Sequence, residues 1–489
     1  MAISFNQIPS ALRVPFTYVE FDNSGAQRGA GVQKFTTLIY GQMLAGGSAT
    51  ALTQYTVTST DQAKDLFGAG SHLYAQIESY KANDSFTEVH VIGQVDDGAS
   101  LAAEGSIEFT GPATADGVLA LYIAGKKVSV VVLENDLAVD VATNVAAAVT
   151  ADADLMVDAA VDGVDAFKVV FTAKNAGENG NQIDLRLNYA LGDAAPAGIA
   201  STIVAMSGGA TNPDVDDVLS LLTETQYNVV VNPYLDSANL TKLEAELALR
   251  FGPLRQNEGV SFSAWSDSVS GLTTLGNSRN SPHSSIMGVS GPSHPLVWSA
   301  AYAAQVSQSA QIDPAKPFQT LPLLGVLAPS PVEEFALDER NNLLFDGIST
   351  YRLVSSQPII ERAISTYQLS SGGSPDISYL DLTTLYTLSL LRFEFRTLFQ
   401  TKYSRHKLAN DGTAFGPGQP VMTPSLGKSE AIALFTAWQQ RGLVEGQDQF
   451  ENDLIVERSD TDPNRLDFSL PVDLVNALRV VGAKIPFLI

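Results

Sequence analysis

The sequence predicts a multi-domain α/β protein: an α/β core interrupted by an inserted β-rich domain, an α+β C-terminal domain, and extended arms at both ends. Three observations predict this. Strand and helix patterns alternate over residues 34–96 and again over 211–355, as a parallel sheet with crossover helices requires. Residues 97–210 break that alternation with short period-two runs. Both ends are apolar and punctuated by Pro and Gly, and 489 residues are too many for one ordinary core.

Residues 1–33 carry Pro9, Pro15, Gly25, Gly29 and Gly31 around the alternating stretch Phe16 to Phe21. They read as an extended arm holding one strand, which either edges its own domain or docks elsewhere. A strand is expected at 35–43, helices at 60–67 and 73–81 with Thr60 or Asp61 as N-cap, and a strand at 88–95. After Ser207-Gly208-Gly209 the pattern resumes with a helix at 213–224, a strand at 227–232, a helix at 237–251, and strands at 260–265 and 285–289.

The insertion's runs fall at 106–109, 120–123, 127–133, 167–173 and 183–187. It holds 15 acidic and 5 basic residues, so −10 of the total −24 charge sits there, which suits a solvent-facing module on the outside of an assembly. An Ala-rich helix at 294–309 then leads into a Pro-studded stretch at 313–331. The C-terminal domain is placed at 356–489, close to β runs at 350–354 and 359–366. A long helix follows at 380–408, with Leu385, Leu388, Leu391, Phe395, Leu398 and Phe399 at helical spacing, then another at 429–441. The arm at 472–489 ends Ile485-Pro486-Phe487-Leu488-Ile489, an apolar terminus that is a liability unless paired.

Charged residues make up 17% of the chain, against a usual ~25%. A charge-poor surface makes sense if much of it ends against other protein. The acidic balance disfavours nucleic acid as a partner, since phosphate contacts need clustered Lys and Arg. With no cysteine, neither disulfides nor thiolate metal sites hold the fold. Met1 to Ser10 lacks the features of a signal peptide, and no apolar run reaches membrane-spanning length, so neither secretion by standard routes nor direct membrane insertion is expected.

No catalytic, cofactor or metal site stands out. The five histidines lack the paired helical spacing of a zinc hydrolase. Gly288-Val289-Ser290-Gly291 misses the second glycine of a serine-nucleophile elbow. Gly427-Lys428-Ser429 lacks the upstream glycine and strand of a phosphate loop and reads as a helix start capped by Ser429. Asp152, Asp154, Asp158 and Asp162 do not match a calcium loop. Arg392, Arg396, Lys402, Arg405 and Lys407 follow one another along the long helix. They form either a solvated face balanced by local carboxylates or a docking surface for an acidic protein.

Several stretches together carry a resemblance: Asn232-Pro233-Tyr234, Arg250-Phe251-Gly252-Pro253, Asp313 to Leu321, Glu339 to Leu344, Asp346 to Thr350, Glu361 to Tyr367, Tyr379-Leu380-Asp381, Leu388 to Arg392 and Leu454 to Arg458. From residue 226 onward, and in Ile8 to Glu20, the sequence resembles the sheath subunit of contractile phage tails of the Mu-like type. The resemblance implies a subtilisin-like α/β core without activity and hexameric rings stacked as a helical sheath around a tail tube protein. It implies contraction that drives the tube through the host envelope. It also implies terminal arms that donate strands to neighbouring copies, through Tyr18, Val19 and Phe21 at one end and Ile485, Phe487 and Leu488 at the other.

On that reading the basic set faces the tube. Baseplate and tail terminator proteins are further partners, and the protein belongs to the virion after assembly in the host cytoplasm. The rival classes are an α/β hydrolase-like enzyme and a monomeric adhesion module.

Overall fold

The computed structural model describes residues 33–488 apart from Pro417, so the N-terminal stretch with Tyr18, Val19 and Phe21 lies outside the described residues. The centre is an eight-stranded sheet in the order Gln357–Arg362, Ile348–Val354, Ser284–Val289, Val260–Ser266, Val229–Val231, Thr36–Gln42, Glu88–Gln94 and Gln54–Thr56. The six middle strands run parallel and the two edge strands antiparallel. Alternation along Thr36–Gln42 explains how both faces are covered: Ile39 enters one core with Trp298, Tyr302 and Ile77, and Leu38 and Tyr40 enter another with Val218, Leu243 and Leu247. The Ala-rich helix Pro295–Ile312 is buried almost all round, with small side chains that let it lie close to the sheet and to helix His72–Asn83.

Several elements differ from expectation. Ser59, not Thr60 or Asp61, caps the helix Thr60–Phe67 by accepting from Gln62 N. The helix expected over 213–224 closes after one turn, Asp216–Leu219. The carbonyls beyond it are taken instead by the buried guanidinium of Arg250, which donates to Leu222 O at 2.7 Å, to Thr223 O at 3.0 Å and to Thr225 O. A helix at Val269–Asn277, capped by Ser268, was not foreseen because Ser, Thr and Gly dilute its pattern. The sheet also runs on past residue 355 through Gln357–Arg362.

The insertion folds as a four-stranded antiparallel sheet (Ala200–Ser207, Glu104–Thr110, Lys168–Ala173, Val157–Val161) beside a three-stranded one (Lys126–Val132, Gly117–Ile123, Leu185–Leu187). It is not purely β, since helix Ala138–Ala151 packs Val141, Ala142, Val145 and Val149 into its apolar cluster. Asp140 caps that helix by accepting from Leu137 N at 2.9 Å. The alternating Val and Ala had masked a spacing that is helical, i, i+1, i+4, i+8.

In the last third the long helix spans Leu382–Lys402 and stops short of the expected 408. Its first half, Leu382, Leu385 and Tyr386, belongs to the central core, and its second half, Leu390 and Leu391, to a separate cluster with Phe435, Trp438 and Phe450. Helix Pro424–Gln440 begins five residues before the expected start. Thr423 is its cap and Pro424 occupies the first turn, so Ser429 sits mid-helix.

Candidate assembly surfaces

The last strand, Asp473–Leu474, pairs with Val444–Glu445, and beyond it residues 475–488 form no strand or helix. This stretch is apolar yet uncovered: Leu478, Val480, Val481, Ile485 and Phe487 are largely exposed and Leu488 fully so. A free monomer gains nothing from holding so many apolar side chains in water. The base of the arm is held by a shared carboxylate. Asp381 accepts from Arg479 Nη2 at 2.8 Å and from Arg362 Nη2 at 3.0 Å. Burial lowers the Arg479 pKa below its ordinary value, and Asp381 opposes that shift. Sequence reasoning missed this latch, although Arg362 and Asp381 both lie in the stretches that carry the resemblance.

The five basic residues are not brought together as one face. Arg392 turns inward: its guanidinium lies 4.5 Å from the Phe251 ring centroid, donates to Phe251 O at 2.6 Å, and stands 2.9 Å from Glu258. Arg396 approaches Gln256 O at 3.5 Å. Lys402 pairs with Glu430 at 2.7 Å. Arg405 and Lys407 lie past the end of the helix, Arg405 exposed and Lys407 on the short strand Lys407–Leu408, donating to Gln419. Partners on the same chain thus absorb Arg392 and Lys402, and the single basic helix face is corrected to a set split between an internal clamp and a loop.

The stretches that partly match enzyme motifs take up local structural contacts. Ser290 Oγ is hydrogen-bonded to Tyr351 and to Glu333 O, with no histidine among its partners. Lys428 and Ser429 stand inside a helix, away from its N-terminus. Among the described residues no group of three His, Cys, Asp or Glu side chains is placed to hold a metal, and no helix is long and apolar enough to cross a membrane.

An α/β core with a polar insert, a second small core and an uncovered apolar arm defines a subunit built for assembly, and the chain belongs to the phage tail sheath family. Residues 208–366 match the phage tail sheath protein central domain and residues 374–487 the phage tail sheath C-terminal domain. The chain is 40% identical over 491 residues to the Mu-like prophage FluMu tail sheath protein of Haemophilus influenzae, covering 100% of both. Among solved structures it is similar to the sheath tail protein of Desulfitobacterium hafniense, with a TM-score of 0.49, 12% identity and coverage of 95% of this chain and 97% of that one. It is also similar to the sheath tail protein of Listeria innocua, with a TM-score of 0.46, 12% identity and coverage of 91% and 92%. The chain is a structural subunit of a contractile phage tail sheath, a component of the virion tail.

Proposed function

We propose that the chain polymerises as hexameric rings stacked helically around a tail tube, and that its arms tether neighbouring copies while the lattice shortens. The observation that carries this is the exposed apolar stretch 475–488 in a member of the sheath family. Main-chain pairing of such a segment with a neighbour's sheet edge gives affinity, side-chain pockets give register, and a head-to-tail contact that does not close makes a filament. Tyr18, Val19 and Phe21 would serve the opposite end as Ile485, Phe487 and Leu488 serve this one. Contraction is then a shift between two packings of the same subunit, with the difference in buried contact summed over many copies.

The remaining roles follow from surface chemistry. The core reads as subtilisin-like in its parallel sheet covered on both faces, used as a scaffold and not as an enzyme, with no cofactor. The acidic insertion at 97–210 suits the outside of the sheath. Of the basic set, Arg405 and Lys407 are the best placed to meet an acidic tube surface. Lys402 can join them by giving up Glu430, and Arg392 and Arg396 act by bracing the helix. Baseplate and tail terminator proteins are the expected partners at the two ends of the polymer, after assembly in the host cytoplasm. Removing residues 476–489 should leave a folded subunit that makes no long sheaths by electron microscopy; sheaths of full length from that truncation would refute the tether.

A further inference from the structure

The junction between the insertion and the core is almost entirely polar, and at its centre sit two stacked histidines. The one core side chain in the insertion's apolar cluster is Ala75, and no insertion residue enters the core clusters among the described residues. Hydrogen bonds and ion pairs hold the junction. Asn175 accepts from His72 N at 3.0 Å and donates to Met43 O. Gln42 donates to Ala176 O and to Asp96, and Asp96 in turn accepts from Ala176 N at 2.9 Å. Around the rim stand Lys64 with Asp154, Lys126 with Glu78, and Arg186 with Asp184 and Glu333. Glu178 lies beside Asn212, which also bonds Asp236.

The two rings, His72 from helix His72–Asn83 and His294 at the start of Pro295–Ile312, stack with centroids 5.8 Å apart. Both are buried. His294 Nδ1 accepts from Leu296 N at 3.1 Å, so the ring proton is on Nε2, which donates to Asn179 O at 2.9 Å. A second proton on His294 would displace the Leu296 contact, put a cation at a helix N-terminus and face it with His72. His72 Nδ1 is 3.3 Å from Gln42 Oε1, while its Nε2, both amide atoms of Gln76 and Asn179 Nδ2 have no hydrogen-bond partner among the described residues. Among the described residues no carboxylate is hydrogen-bonded to either ring. The joint therefore fits only neutral imidazoles, and it holds polar groups that opening would satisfy.

We infer that His72 and His294 form an acid-releasable joint, which holds the insertion on the core when both rings are neutral and lets it swing free when they are protonated. Burial lowers the His72 pKa to about 3, reinforced by His294, and burial brings His294 to about 4. The sign follows. Both docked values lie below the ordinary ~6.5, so the released state binds more protons. Docking is then at full strength above ~6.5 and weakens as pH falls toward the docked values. Between pH 6.5 and 4.5 the open fraction should rise about 40-fold per histidine.

Hydrogen exchange on the full chain reads this directly, after correction for the intrinsic pH dependence of exchange. Residues 174–182 and the connections at 95–101 and 207–213 should lose protection as pH falls from 6.5 to 4.5, while strands Val260–Ser266 and Ser284–Val289 do not. The variant His294→Asn, which keeps a capping side chain, should lose about half of that response on a logarithmic scale, and His72→Gln combined with it nearly all. Protection that is flat over this range in the unaltered chain overturns the joint. So does an undiminished response in His294→Asn, which would assign the effect to the carboxylates of the rim.

Discussion

Arg392 shows how a side chain's role is decided by what faces it. In the sequence it is the first of five bases in line, and nothing local distinguishes it from Lys402. In the structure it spans two units, stacked on Phe251 and paired with the buried Glu258, whose carboxyl pKa is raised by burial and drawn back by Arg392. Lys402 makes a half-exposed pair with Glu430. The energetic consequences differ accordingly. Arg392→Ala strands a buried carboxylate and should cost about 2–4 kcal/mol by denaturant unfolding, whereas Lys402→Ala should stay within about 1 kcal/mol. Equal costs for the two would show that the clamp is not formed in solution. The latch at Asp381 was just as hidden, because its three charged partners come from positions 362, 381 and 479, and no spacing rule joins them.

Among the elements, those with a dominant period were legible. Helix Ser237–Phe251 has the expected bounds, with Asp236 as its cap, because its apolar positions repeat at helical spacing. The insertion's helix Ala138–Ala151 was not legible, since Val and Thr favour strands and only tertiary packing settles the matter. The long helix Leu382–Lys402 was legible as a helix, but its division between two cores was not, because an unbroken apolar stripe does not reveal that its partners change halfway. That division has a measurable consequence. Phe435 is fully buried in the small C-terminal core and stacks on Phe450 at 4.1 Å. Phe435→Ala should cost about 3–5 kcal/mol, concentrated in residues 390–474. Exchange should accelerate there with little change in the central sheet; uniform acceleration across both would mean the two cores unfold as one unit.

For the whole molecule, the sequence carried the parallel sheet, its interruption and its apolar C-terminal stretch, because each is a long-range pattern of polarity. It could not carry the joint between insertion and core, where His294 meets the backbone of Asn179 and Leu296, groups that any residue supplies, and His72 meets the Gln42 and Asn175 side chains, which no spacing rule joins to it. The molecule is thereby a sheet with two attachments of different kind, a polar one to the insertion and a helix shared with the C-terminal core, and an uncovered apolar arm. That arm is the centre of the account. A cryo-electron microscopy map of the assembled sheath would test it most directly. Residues 480–488 should be found as an added strand on a neighbouring subunit, with Ile485 and Phe487 covered there. An arm folded back on its own chain, or left free between subunits, would contradict the account.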